Sequence, residues 1–252
     1  MALKNTFSIL MLTKNSANNI AKALDSLSLQ DFKDWELVVQ DCCSKDDTLE
    51  IIGSYNFANT KILSQLDTGL YDGLNKAIKR ATGGYLMVLH SDDCFASSNT
   101  LSQIAGILKD KAPDIIYGDI DFRETNRKPW ITGTYSQRFL ERGWMIPHTA
   151  FIIRRSFHNK VGCYDTSLKI ASDYDYEIRA LKAARMIHYE KMIVCTMAAG
   201  GLSNGSLRKF LHRFKEDYIV CKRYFQFPIY CVIMKRLQKL PQFLSIRDNR
   251  RI

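Results

Sequence analysis

Two aspartates stand together at positions 92 and 93, directly behind a hydrophobic run at 85–90. Adjacent carboxylates at a strand end suit a hard divalent cation. Mg2+ and Mn2+ prefer oxygen ligands, and Mg2+ sites often take one or two carboxylates and complete their shell with substrate phosphates. Such an ion neutralises charge on a departing diphosphate. Acids also favour the first turn of a helix, so the pair alone leaves both readings open. Asp41 follows a second apolar run at 35–40, with Ser44, Asp46 and Asp47 close behind. A carboxylate there can accept an N–H from a base or bind a ribose hydroxyl; a capped helix start accounts for the same residues. A third acidic group, Ala-Ser-Asp-Tyr-Asp-Tyr-Glu at 171–177, opens a helical pattern. One of its carboxylates could deprotonate an acceptor hydroxyl or simply cap the helix.

The elements that must position these groups alternate. Short apolar runs at 7–12, 35–40, 61–64 and 85–90 suit buried strands. Between them Ile20, Ala23, Leu24 and Leu27, and then Tyr71, Leu74, Ile78 and Ala81, fall at helical spacing. Ser44 to Asp47 resembles a capping box opening a helix through Ile51 and Ile52, and Gly83-Gly84 ends the 70–81 helix. A helix at 101–108 precedes a strand at 114–122. The second half is less regular: a loop with a short helix at 130–144, a strand at 148–153, a helix at 173–184 and a strand at 186–197. This alternation predicts an α/β fold with a doubly wound, mostly parallel sheet. Ligands bind such sheets beyond the carboxyl ends of the strands, where Thr13-Lys-Asn15, the acidic stretch after 41, and Ser91-Asp92-Asp93 meet.

The chain has 252 residues, 46% of them hydrophobic, which is enough for an ample core without staples. Seven cysteines with no CxxC pair favour reduced thiols over a disulfide framework. No secretory leader is legible, and no apolar run reaches the roughly 18 residues a membrane span needs. The net charge is +10, of which +9 falls in residues 206–252. There Phe210, Phe214, Tyr224, Phe227 and Tyr230 alternate with Lys and Arg. A basic amphipathic element of this kind suits an anionic membrane surface better than a nucleic-acid groove, so no nucleic acid is expected. The five histidines form no HxH or HExxH set, and no Walker A, GxSxG or GxGxxG sequence is present.

Four segments together resemble the family 2 glycosyltransferases, over about residues 6–205. Residues 7–15, ending Thr-Lys-Asn, look like the family's opening strand and its Thr-x-Asn turn. Asp-Cys-Cys-Ser-Lys-Asp-Asp-Thr at 41–48 looks like its Asp-Gly-Ser-x-Asp-x-Thr segment, with Cys42 in place of Gly. Residues 69–78, then 81–93 ending His-Ser-Asp-Asp, look like the approach to a DxD metal motif. Residues 147–151, 162–165 and 170–175 look like the acceptor half.

The resemblance implies a GT-A fold and an inverting transfer of a sugar from a nucleotide-diphosphate donor, with Mn2+ or Mg2+. Thr13 and Asn15 would line the nucleotide pocket, Asp41 would bind the base, and Asp72, Asn75 and Ser91 would lie on the donor side. Asp92 would hold the metal with Asp93 beside it. Asp173 would be the catalytic base, with His148 beside the acceptor. His90 replaces the first DxD acid. The Gln-x-x-Arg-Trp motif of processive members is absent, which implies single-sugar transfer. The 200–203 segment and basic tail are similar to bacterial enzymes that build surface polysaccharides on lipid carriers. The acceptor would then be a lipid-linked saccharide, and the protein would sit on the cytoplasmic face of the membrane. The expected organisation is a GT-A domain at 1–205, with a nucleotide-sugar half at 1–122 and an acceptor half at 123–205, followed by a helical basic appendage at 206–252. Two alternatives are a nucleotidyltransferase that makes nucleotide sugars and a non-catalytic protein that binds nucleic acid or membrane through its tail.

Overall fold

The computed structural model describes residues 5–122, 128–198 and 207–238. The break expected at 200–205 and the end of the tail at 239–252 lie outside them. Four strands form the parallel part of the sheet: β1 (Phe7–Thr13), β2 (Trp35–Asp41), β3 (Thr60–Ser64) and β4 (Tyr85–Val88). The others are β5 (Cys94–Phe95), β6 (Ile115–Phe122), β7 (Phe151–Arg154) and β8 (Ile187–Met197). The order is β3-β2-β1-β4-β7-β6-β8-β5. β7 runs antiparallel to both β4 and β6, whereas β8 runs parallel to β6. The expected mostly parallel sheet is therefore present, with two reversed strands: β7 at its centre and the short β5, antiparallel to β8, at its edge. Because β7 lies between β4 and β6, the halves expected at 1–122 and 123–205 share one sheet.

Successive side chains point to opposite faces of a strand, and here both faces are covered. Leu10, Val38, Leu86 and Tyr117 enter one core; Ile9, Leu37, Met87 and Ile116 enter the other. That two-sided burial is why the strands read as unbroken apolar runs rather than alternating ones. Helices α1 (Ile20–Ser28), α2 (Thr48–Ser54) and α4 (Thr100–Lys111) cover the second face. On the first lie α3 (Leu70–Arg80), α5 (Gln137–Glu141), α6 (Arg155–Val161), α7 (Ser172–Ala183), α8 (Leu207–Tyr224) and α9 (Pro228–Leu237).

Several local details differ from the sequence expectations. The capping box at 44–47 does not form: α2 opens at Thr48, Asp46 accepts from the Thr48 amide, and Ser44 donates to Asp41 instead. Gly83 does not terminate α3, which ends at Arg80. It lets the turn press against β1, where a Cβ would stand 2.6 Å from the Phe7 carbonyl carbon. His90 lies beyond β4, on the following turn, and His148 lies on a one-turn 3-10 helix ahead of β7. The basic segment docks on the body. Val220 and Cys221 of α8 and Cys231 and Val232 of α9 are fully buried in the same core as Tyr174 and Ala180. Its few acids make that possible, since Asp217 pairs with Lys235 and Arg236 inside the hairpin.

Candidate active site

The carboxyl ends of β1 and β2 are stitched together. Thr13 faces Asp41 in register and donates to its Oδ1 at 3.0 Å. Asp41 also accepts from the Ser44 amide at 2.9 Å and from the Ser44 and Ser64 hydroxyls. Burial alone would raise the pKa of this fully buried acid; the hydrogen bonds from Ser44, Ser64 and Thr13 outweigh it and hold it below the usual carboxylate range. Asn15 adopts the left-handed conformation, with φ of 50°. Its amide donates to Ser44 Oγ at 2.8 Å and its Oδ1 accepts from the Lys45 amide at 2.8 Å. Ser16 then receives a hydrogen bond from the Ser91 hydroxyl at 3.0 Å, which ties this pair of loops to the one after β4. Thr13, Asn15, Asp41 and Ser91 thus converge on one edge, as expected.

A second group gathers around the start of α7. Asp173 is half-buried there. Its Oδ1 accepts from the Tyr71 hydroxyl at 3.2 Å and from the Tyr174 amide at 2.8 Å; among the described residues nothing engages Oδ2. The Tyr71 ring stacks on Tyr164 at 5.9 Å and 10°, and the Tyr164 hydroxyl lies 3.1 Å from His148 Nε2. The rings of His148 and His90 stand 6.0 Å apart. Burial pushes His148 down to about 4; Asp173 opposes that shift and His90 adds to it. Burial also lowers His90, against the pull of Asp92 and Asp173. Both rings are therefore neutral near pH 7, able to donate or accept hydrogen bonds but carrying no charge. Burial and the nearby Asp173 raise the Tyr71 hydroxyl well above its ordinary value, so it is a firm hydrogen-bond donor.

Asp72 and Asn75 are placed differently. Asp72 accepts from the Thr68 amide at 2.9 Å and pairs with Lys76 at 3.0 Å on the surface of α3. Asn75 donates to the Tyr164 carbonyl and accepts from the Tyr164 amide, each at 2.9 Å. Both ends of its carboxamide are thus committed to clamping α3 against the loop before α7. Asp92 is half-exposed at the open edge beside His90. Asp93 is buried and its Oδ1 accepts from the Ala198 amide at 3.3 Å. Among the described residues no group of three or more His, Cys, Asp or Glu forms a metal cage. The donor set fits an ion that takes Asp92 from the protein and phosphate oxygens from a substrate, with Asp93 turned inward. Sequence reasoning missed Tyr71 and Tyr164, because aromatic residues at helical or loop positions look like core.

The family model described as Glycosyl transferase family 2 matches residues 8–172. A PGL/p-HBAD biosynthesis glycosyltransferase of Mycobacterium tuberculosis is 33% identical over 214 residues, covering 82% of this chain and 83% of that one. Among solved structures, Staphylococcus aureus TarS 1–349 in complex with UDP-GlcNAc superposes with a TM-score of 0.71 at 23% identity, covering 85% of this chain. The match spans 65% of that TarS chain, just under two thirds of its length. The mannosyltransferase PcManGT of Pyrobaculum calidifontis, in complex with GDP-Man and Mn2+, superposes with a TM-score of 0.69 at 16% identity, covering 96% of this chain and 72% of that one. The shared architecture is the GT-A fold.

Proposed function

Because the chain belongs to glycosyl transferase family 2, we propose that it transfers a single sugar from a nucleotide-diphosphate donor to an acceptor hydroxyl, with inversion. The observation that carries this reading is a pair of acidic sites: a buried Asp41 turn at the ends of β1 and β2, and Asp173 at the start of α7, near His90 beyond β4, with its Oδ2 unengaged among the described residues. The Asp41 turn, with Thr13, Asn15 and Ser91, forms the nucleotide side. In the transfer the acceptor hydroxyl gives its proton to Asp173 Oδ2 as its oxygen attacks the anomeric carbon and the bond to the donor diphosphate breaks. Tyr71 and the Tyr174 amide hold Oδ1, so the free lone pairs point one way. Neutral His148 hydrogen-bonds the acceptor without competing for that proton. When bound, Mn2+ or Mg2+ would be held by Asp92 and would supply Lewis acidity for the departing diphosphate.

The relatives support a role in cell-surface glycan assembly, and a lipid-linked saccharide is the acceptor this reading favours. Among the described residues no helix is long and apolar enough to cross a membrane. A peripheral position on a membrane surface, which this reading places on the cytoplasmic face, draws its support from the α8–α9 hairpin. Phe210, Leu211 and Phe214 are exposed on α8, Phe227, Ile229 and Ile233 are exposed on or beside α9, and Lys215 and Lys222 are exposed with them.

The testing experiment is thermal stability with UDP, GDP, dTDP and CDP, each with and without Mn2+. A ligand that binds only the folded state adds about 2.7 kcal/mol at roughly a hundred times its Kd. A metal-dependent rise for one nucleotide is the expected result and names the donor's base. No rise for any of them would defeat the donor-site reading.

A further inference from the structure

The first amides of an α-helix have no partner within it and must be satisfied from outside. The start of α7 follows that rule in an unusual way, since its own capping residue, Ala171, has no side chain able to accept. For the capping amide of Ala171 the acceptor comes from α8, and it takes the two amides ahead of the helix with it. Glu216 Oε1 accepts from the Lys169 amide at 2.8 Å, and Oε2 accepts from the Ile170 and Ala171 amides at 2.7 and 2.9 Å. The carboxylate is 4% exposed, and it lies at the positive end of the α7 dipole, where an anion is favoured. The same stretch is gripped from its other side: the Tyr71 hydroxyl of α3 shares its one proton between the Ile170 carbonyl at 2.8 Å and Asp173 Oδ1 at 3.2 Å. Residues 169–171 are therefore held by their N–H groups from α8 and by a C=O from α3, and Asp173 stands two residues further on.

We propose that Glu216 is a positioning residue for the transfer reaction. It fixes the backbone ahead of Asp173 and so sets where that carboxylate stands against Tyr71 and His148. This rests on Asp173 being the base. It also gives the C-terminal hairpin a part in the chemistry: the element that presents the exposed apolar stripe is the one that holds the base in place.

The decisive measurement needs no substrate. Glu216→Gln replaces one accepting oxygen with an NH2 group that must face backbone donors. The side-chain NMR signals of His148 are compared at pH 7 in the wild type, Glu216→Gln and Asp173→Asn. The expected result is that Glu216→Gln moves the His148 signals as Asp173→Asn does, although the histidine that Glu216 itself pairs with is His212, at 3.0 Å. In hydrolysis of UDP-GlcNAc or GDP-mannose, kcat should fall on the order of a hundredfold with donor KM unchanged, as misplacement by about 1 Å can do. An unmoved His148 signal in a folded Glu216→Gln protein overturns the proposal, whatever the rate. Where that variant does not fold, Glu216→Asp serves instead: it keeps the charge but is one methylene too short to span all three amides, and the same two readouts apply. Full turnover by Asp173→Asn would fail the base assignment alone, while a His148 shift in the Glu216 variant would still uphold its hold on the loop.

Discussion

Asp173 differs from the other carboxylates of the site in what it has left to offer. Asp41 is saturated by protein donors and Asp93 is turned inward, but Asp173 spends one oxygen on Tyr71 and the Tyr174 amide and, among the described residues, keeps the other. Asp173→Asn should therefore abolish transfer while the nucleotide-induced rise in melting temperature persists; full turnover would remove the assignment. Asn75 makes the opposite case. Its two hydrogen bonds to Tyr164 are structural, so Asn75→Ala should lower stability by about 2 kcal/mol, the usual cost of stranding a buried backbone pair, and leave the Kd for nucleotide within a fewfold. A large loss of nucleotide affinity at unchanged stability would return Asn75 to the donor side. The positions of Thr13, Asn15, Asp41, Asp92 and Asp173 were legible in the sequence, because each ends or follows a strand or opens a helix; their roles come from the family resemblance. Tyr71, Tyr164 and Glu216 were not legible. Their roles come from contacts between residues that lie 93 and 45 or more positions apart in the chain, which no local pattern encodes.

At the level of elements, the parallel strands were readable because both of their faces are buried and their apolar runs are continuous. The reversed β7 was not: periodicity gives a strand but not its direction, and direction here is set by the path of the chain through α5 and the His148 turn. One buried acid locks the parallel part together. Glu36 on β2 accepts from Ser8 on β1 at 2.6 Å, from the Gly83 amide ahead of β4 at 3.0 Å, and pairs with Lys61 on β3 at 2.6 Å. Burial would raise its pKa, but Lys61, Ser8 and Thr82 together bring it from 4.5 down to about 2. A folded-state pKa below the unfolded one stabilises above the unfolded value, and that stabilisation fades as pH falls through the folded value. Glu36→Gln should thus cost on the order of 2 kcal/mol above pH 5, and the gap to the wild type should close between about pH 4.5 and 2. Denaturant midpoints at pH 7, 5 and 3 check this; a gap of constant size would mean that the carboxylate's charge is not what holds the strands.

Across the whole molecule, charge and apolar exposure fall together on the α8–α9 hairpin. The sequence suggests a basic appendage at 206–252, and removing it would be the simplest way to test membrane binding. The buried Val220, Cys221, Cys231 and Val232, and the Glu216 contacts to 169–171, rule that design out, because removing them would open the core and the base loop together. Substitution of the exposed stripe leaves those contacts alone. Phe227→Ser, Ile229→Ser and Ile233→Ser combined should preserve the melting temperature, since all three side chains are about half or more exposed. Full burial of such a side chain contributes about 1.5–3 kcal/mol, and partial insertion of each about half of that, so sedimentation with phosphatidylglycerol vesicles should weaken by about three- to tenfold per side chain. Binding of the wild type should also fall as salt rises, because the Debye length shrinks from about 10 Å at 0.1 M to about 3 Å at 1 M, whereas vesicles of phosphatidylcholine should hold little protein at any salt. If the triple variant binds as well as the wild type, the stripe is not the contact and attraction rests on the basic residues alone. If neither binds anionic vesicles, the chain reaches its acceptor from solution, and the exposed hairpin face must serve another partner.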